Sequence, residues 1–123
     1  MEFQVVTTVS GDGVATASVS GEADLYTAPE LKDALNALTG EAAARLVLVD
    51  LSRTTFIDST TLGVLMGTLK KLRAQGGEIA IACDDPNIRR IFEITLLNRV
   101  FAIFDSVEAG LSHLRRADRA KPG

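Results

Sequence analysis

One cysteine and one histidine stand in 123 residues. A single cysteine excludes an internal disulfide, and one cysteine with one histidine makes no credible zinc site. A serine nucleophile would lack a base, because His113 falls in the last helical segment and no G-x-S-x-G turn occurs. His113 reads instead as a surface or half-buried helix residue. There is no G-x-x-x-x-G-K-[ST] phosphate loop. Gly63 and Gly67, four apart in a helical pattern, read as close packing or a flat contact surface. Basic residues are also few: 13 Lys and Arg stand against 16 Asp and Glu, for a net charge of −3. The clustered basic face of a nucleic-acid binder is therefore not expected. No apolar run approaches a membrane span, and the opening MEFQVVTTV lacks a charged-then-apolar signal pattern. A cytoplasmic protein without a membrane partner is expected. Cys83 closes a strand-like run, where a thiol is buried and inert rather than reactive.

What remains is an ordinary globular composition, 46% apolar and 24% charged. The length suffices for one domain with one core. The most informative stretch is 45–77, RLVLVDLSRTTFIDSTTLGVLMGTLKKLRAQGG. Leu46-Val47-Leu48-Val49 is a short continuous apolar run closed by Asp50, the pattern of a strand buried on both faces. A second apolar pair, Phe56-Ile57, leads to Asp58-Ser59. From there Leu62, Leu65, Met66, Leu69 and Leu72 recur at steps of three and four, on one helical face. Lys70, Lys71 and Arg73 suit the negative end of the helix dipole, and Gly76-Gly77 ends the helix.

Asp58-Ser59 thus lies at a helix N-terminus, and the plain reading is that of a cap. The sharper reading concerns the Ser59 hydroxyl, which sits where free backbone N–H groups and the dipole favour an anion. A phosphate there would be tolerated locally, yet would add about −1.5 to −2 charges beside Asp58.

Before this stretch, residues 3–9 and 14–19 flank Gly11-Asp12-Gly13 and read as an antiparallel hairpin. Residues 21–27 read as a loop. Thr27-Ala-Pro-Glu30 reads as a capping box opening a helix to about Leu38, with Leu31, Leu35 and Leu38 inward and Gly40 as its stop. Asp24, taken from the residues alone, is a solvated loop acid capping a turn. After it, residues 78–83 read as a buried strand, and Asp85-Pro86 opens a helix with Ile88, Ile91 and Phe92 inward and Arg89, Arg90 and Glu93 outward. Asn98-Arg99 turns the chain into a strand over 100–104. Asp105-Ser106 caps a last helix carrying Val107, Leu111 and Leu114. Residues 115–123 read as a polar, fraying tail beyond a domain of 1–114. The order ββαβαβαβα implies an α/β fold: a mixed, mostly parallel sheet with an N-terminal hairpin, right-handed crossovers and about four helices.

The segment F-I-D-S-T-T-L-G-V-L, preceded by V-D-L-S, resembles the signature of STAS domains of the anti-sigma factor antagonist type. Gly21-Glu22-Ala23-Asp24, followed by Thr27-Ala28, is similar to a second feature of that family. The resemblance covers nearly the whole chain and implies the same architecture. It implies that Ser59 is phosphorylated by a cognate anti-sigma factor, a serine kinase that uses its own ATP, so that no cofactor belongs to this chain. It also implies that Asp24 lines the same end of the sheet as Ser59, with Tyr26 nearby. The implied partner surface is Asp24, Tyr26, Asp58, Ser59, Thr60, Thr61 and Gly63, extending along the exposed side of the helix toward Arg73. The family usually carries glycine where this chain has Thr61, so Thr60 and Thr61 add two hydroxyls beside Ser59.

The implied function is a binding module rather than an enzyme. Unphosphorylated, it would hold the anti-sigma factor and free a sigma factor; the phosphate would break that complex. An alternative with the same fold is a STAS subunit of a larger scaffold, in stress sensing or lipid transport, with Asp58-Ser59 only a cap and docking edge. A phospho-aspartate receiver would need an acidic pair after the first strand and a lysine after the last. Val9-Ser10-Gly11 and Phe104-Asp105-Ser106 supply neither. Dimerisation is open at this level.

Overall fold

A tight turn joins the first two strands: the Ser10 amide donates to the Val14 carbonyl at 2.8 Å, and the Ser10 hydroxyl donates to the Asp12 carboxylate. It links β1 (Gln4–Val9) to β2 (Val14–Ala23), paired antiparallel from Gln4 with Ser20 to Val9 with Ala15. Three more strands follow: β3 (Leu46–Ile57), β4 (Glu78–Ala82) and β5 (Ala102–Phe104). The sheet order is β1-β2-β3-β4-β5, with β2 to β5 all parallel. The helices are α1 (Ala28–Thr39), α2 (Ser59–Ala74), α3 (Pro86–Ile94) and α4 (Val107–Arg119), with a 3₁₀ turn at Leu97–Arg99 before β5. The computed structural model describes residues 2–119.

The expected α/β fold is thus present, and its layering follows from handedness. The parallel strands advance in one direction, so three right-handed crossovers lay α1, α2 and α3 on the same face. There, Ala15, Val47, Val49 and Ile81 meet Leu31, Leu35, Leu65, Leu72 and Phe92. Among the described residues no crossover to a further strand constrains α4, and it covers the other face, where Leu114 packs on Val14, Leu46, Leu48, Ala80 and Ala82. Alternate residues of Leu46-Val47-Leu48-Val49 therefore serve two cores, as a run without polar interruption requires. Helix α4 lies close to the sheet: a Cβ on Gly110 would stand 2.5 Å from Leu48 Cδ1.

Several expected boundaries move. The stretch 21–23 is strand rather than loop, and Asp50 does not close a strand, because β3 runs on to Ile57. Beyond Asp50, β3 loses β4 as a neighbour but keeps β2, through Ser20 with Arg53 and Ala23 with Ile57. The two strands therefore project past the sheet as a ribbon, with register shifts after Ser18 and Gly21. Gly21 has φ +89°, and a Cβ there would meet the Glu2 and Phe3 backbone at 3.0 Å. Only glycine fits this bend. The last strand is shorter than expected, since Val100 belongs to the preceding turn.

The last helix also runs past the expected domain boundary at 114. Helix α4 continues to Arg119, held by Arg45–Asp118 at 2.7 Å and Arg115–Asp12 at 3.1 Å. Residues 120–123 lie outside the described residues. Arg89 is another departure: it turns back, donating from Nε to the Cys83 carbonyl at 2.6 Å and pairing with Asp105 at 2.8 Å.

Candidate functional site

The ribbon ends where β2 and β3 hand over to α1 and α2. The Asp58 amide donates to the Ala23 carbonyl at 3.2 Å, so the loop after β2 and the start of α2 are tied side by side. This is the carboxyl end of the parallel strands, where open α/β sheets place their binding sites.

At the start of α2, Asp58 takes the capping role. Its backbone is extended, and its Oδ1 accepts from the Thr61 amide at 3.1 Å and the Thr61 hydroxyl at 3.3 Å. Ser59 is then the first helical residue, exposed, and no hydrogen bond engages its hydroxyl among the described residues. The split follows from side-chain length: an aspartate reaches the third amide ahead, and the next serine is left facing out. Thr60 is exposed as well. Thr61, expected on the contact surface, is fully buried, and its hydroxyl donates to the Ala23 carbonyl at 2.8 Å. Of the three adjacent hydroxyls, two are accessible and one is a tie inside the fold.

In the other loop the expected capping box at Thr27 is replaced. Thr27 makes no side-chain cap to α1. Instead Asp24 Oδ1 accepts from the Tyr26 amide at 2.9 Å, the Thr27 amide at 3.1 Å and the Thr27 hydroxyl at 3.2 Å. The Asp24 amide in turn donates to Thr27 Oγ1 at 2.8 Å. Asp24 therefore works as a turn cap, half-buried, in the manner its residue type alone suggested. Tyr26, next to it, is 88% exposed.

Asp24, Tyr26, Asp58, Ser59 and Thr60 thus gather in one corner, with Gly63 one turn further along α2. Gly63 and Gly67 are exposed with open space where a side chain would stand, so they form a flat surface and not a close packing site. With Lys32, Asn36 and Val64 they line a shallow groove between α1 and α2.

Two residues of this corner were not anticipated. Leu25 is 60% exposed and Phe56 47%. The register sets Phe56 beside Glu22 and Ile57 beside Ala23. Strand alternation lets only one of Phe56 and Ile57 point inward, and Ile57 is the buried one. That rule was available from the sequence, but the strand's extent was not.

Residues 22–26 and 56–61 contain Glu22, Asp24 and Asp58 and no lysine or arginine. A phosphate on Ser59 would enter a corner whose two loops already bear three carboxylates; on the favourable side stand the dipole and free amides of the helix start and Lys32, which lines the adjoining groove with Thr60 and Gly63. Elsewhere, burial pushes the Cys83 thiol above its ordinary range, as suits an inert core cysteine. His113 is half-buried against the Phe104 ring, centroids 4.8 Å apart. Among the described residues, no three His, Cys, Asp or Glu side chains converge as a metal site would need, and no helix is long and apolar enough to cross a membrane.

Residues 6–110 match the family model of the STAS domain. The chain is 34% identical over 103 residues to an anti-sigma-B factor antagonist of Staphylococcus aureus, covering 84% of this chain and 94% of that one. It is 36% identical over 95 residues to an anti-sigma-B factor antagonist of Bacillus subtilis, covering 76% and 84%. The crystal structure of an anti-sigma factor antagonist from Mycobacterium paratuberculosis superposes with a TM-score of 0.84 at 29% identity, covering 93% and 95%.

Proposed function

The chain belongs to the STAS domain family, in its anti-sigma factor antagonist branch, and from that premise we propose that it is a phosphorylation-switched antagonist of an anti-sigma factor. Unphosphorylated, it binds a cognate anti-sigma factor that is also a serine kinase, and so releases a sigma factor. The kinase transfers the γ-phosphoryl group of its own ATP to the Ser59 hydroxyl, whose proton is lost as the Oγ–P bond forms and ADP leaves. A role that uses ATP belongs in the cytoplasm. The chain supplies the surface and the acceptor, and the kinase supplies the chemistry.

One observation supports this reading above the others: Ser59 stands free and exposed at the first position of α2, while Asp58 has taken the capping duty and Thr61 is locked inside. A serine kept only as a cap would have its oxygen on an amide. The phosphate then acts by charge and desolvation. It adds about −1.5 to −2 charges to a surface that must be covered by the partner. Each 1.4 kcal/mol lost weakens binding about tenfold, so no large fold change is needed.

The test is an intact-mass spectrum with site mapping, after incubation with ATP and the purified anti-sigma kinases of the same organism. One added phosphate on Ser59, from one kinase only, is the expected result. Ser59→Ala should bind that kinase constitutively and take no phosphate, and Ser59→Asp should bind weakly. Stoichiometric phosphate on Ser59→Ala would move the acceptor to Thr60, the other exposed hydroxyl. No phosphate from any kinase, with the native protein eluting in a large complex, would favour a non-switching scaffold subunit.

A further inference from the structure

Seven large apolar side chains are conspicuously exposed among the described residues, and three of them, Leu25, Tyr26 and Phe56, stand in the corner that holds Ser59. We infer that these three are the affinity anchors for the anti-sigma factor, with Phe56 drawing the partner over the ribbon tip onto the sheet face opposite α2. The inference rests on the reading of Ser59 as the kinase's acceptor and adds to it the residues that set how tightly the partner holds.

The geometry leaves the partner little choice. A kinase acting on Ser59 must bring its γ-phosphate to the Oγ atom, so its surface closes over this corner. An interface of standard size covers roughly 800 Å² per partner, a patch about 16 Å in radius. Phe56 is three residues from Ser59, on the order of 10 Å along an extended chain. Leu25 and Tyr26 follow Ala23, whose carbonyl is bonded to both Asp58 and Thr61. All three side chains therefore fall inside any interface centred on Ser59.

Their chemistry fits the role. Exposed side chains of this size carry binding energy when desolvated, tyrosine and other aromatics above all. The neighbouring acids, Glu22, Asp24 and Asp58, form a polar surround of the kind that rims such anchors. Phe56 also belongs to neither core cluster. It lies on the face opposite the buried Ile57, past the end of β4, where α4 does not reach: the cluster beneath α4 draws on Leu46 and Leu48 of β3 and on nothing later in that strand. The division of labour follows: the apolar anchors set affinity in both phosphorylation states, and the phosphate sets the difference between the states.

The experiment measures the dissociation constant of the unphosphorylated chain for the kinase that modifies it, for the wild type and for Phe56→Ala, Tyr26→Ala and Leu25→Ala. Val9→Ala and Ile94→Ala serve as controls, being 48% and 69% exposed, with Val9 beside Ala15 at the opposite end of β2 from the corner. All five positions are surface positions, and unchanged melting temperatures confirm folding. Phe56→Ala and Tyr26→Ala should each weaken binding at least tenfold and Leu25→Ala by a smaller factor, with the controls within twofold. If the wild type binds and is phosphorylated while Phe56→Ala binds within twofold of it, the anchor assignment is wrong and the reading of Ser59 stands. A dimer of the free chain that Phe56→Ala dissolves, with kinase affinity unchanged, would likewise overturn it. If the wild type neither binds nor accepts phosphate from any of the kinases, the reading of Ser59 falls and the anchors fall with it.

Discussion

The Thr61 hydroxyl donates a 2.8 Å hydrogen bond to the carbonyl oxygen of Ala23, 38 residues earlier in the chain. The same carbonyl accepts the Asp58 amide at 3.2 Å. One oxygen at the end of β2 thus holds the start of α2 in place, and with it the orientation of Ser59. The hydroxyl that departs from the family's usual glycine is a structural tie, and of the three adjacent hydroxyls only those of Ser59 and Thr60 stay exposed.

Thr61→Val keeps the side chain's shape and deletes that tie. The Ala23 carbonyl retains the Asp58 amide, so the loss is one net hydrogen bond, about 1 kcal/mol. The melting temperature should fall by about 4 °C. If calorimetry shows no change, the bond has no energetic weight in solution.

Asp24 separates a turn cap from a contact residue. Asp24→Ala removes the acceptor for the Tyr26 and Thr27 amides and should cost about 1 kcal/mol in urea denaturation. Asp24→Asn keeps an oxygen in the same place and should recover most of it. Equal stability of the two variants would mean that the carboxylate has no capping role, and its value would lie wholly at the partner surface.

Cys83 imposes a direction on the alkaline limb of stability. Burial raises its thiol pKa in the folded state, so between the ordinary thiol pKa and the folded one the unfolded chain binds fewer protons than the native. Stability is therefore complete below the ordinary thiol range and declines as pH rises through that window. Cys83→Ala should flatten the decline. Denaturation midpoints from pH 7 to about pH 10 for both proteins decide it, and parallel curves would show that the thiol is not the titrating group.

The end of α4 should behave as helix. Amide exchange is expected to stay slowed past residue 114, into the turn that holds Arg115 and Asp118, and Arg45→Ala should speed exchange in that last turn while leaving the melting temperature nearly unchanged. Unprotected amides from residue 115 onward in the wild type would restore the fraying tail.

The sequence by itself determined the class, the element order and the place of the candidate site. A short, Val-rich apolar run without polar interruption has the pattern of a strand covered on both faces. Steps of three and four can only be one face of a helix. Asp58-Ser59 had to fall at a helix start, and the family resemblance rested on those same local residues. These are short-range properties, and composition and spacing carry them.

Tertiary structure decided what each polar side chain does there. Whether Thr61 faces out or in depends on an acceptor 38 residues away. Whether 115–119 frays depends on Arg45 and Asp12, brought near by α4 crossing the sheet. The extent of β3 past Asp50 depends on β2 staying beside it after β4 has ended. That same overhang leaves Phe56 exposed while Ile57 beside it enters the core. Each of these is set by a partner distant in the chain, and local patterns carry no information about which distant partner arrives.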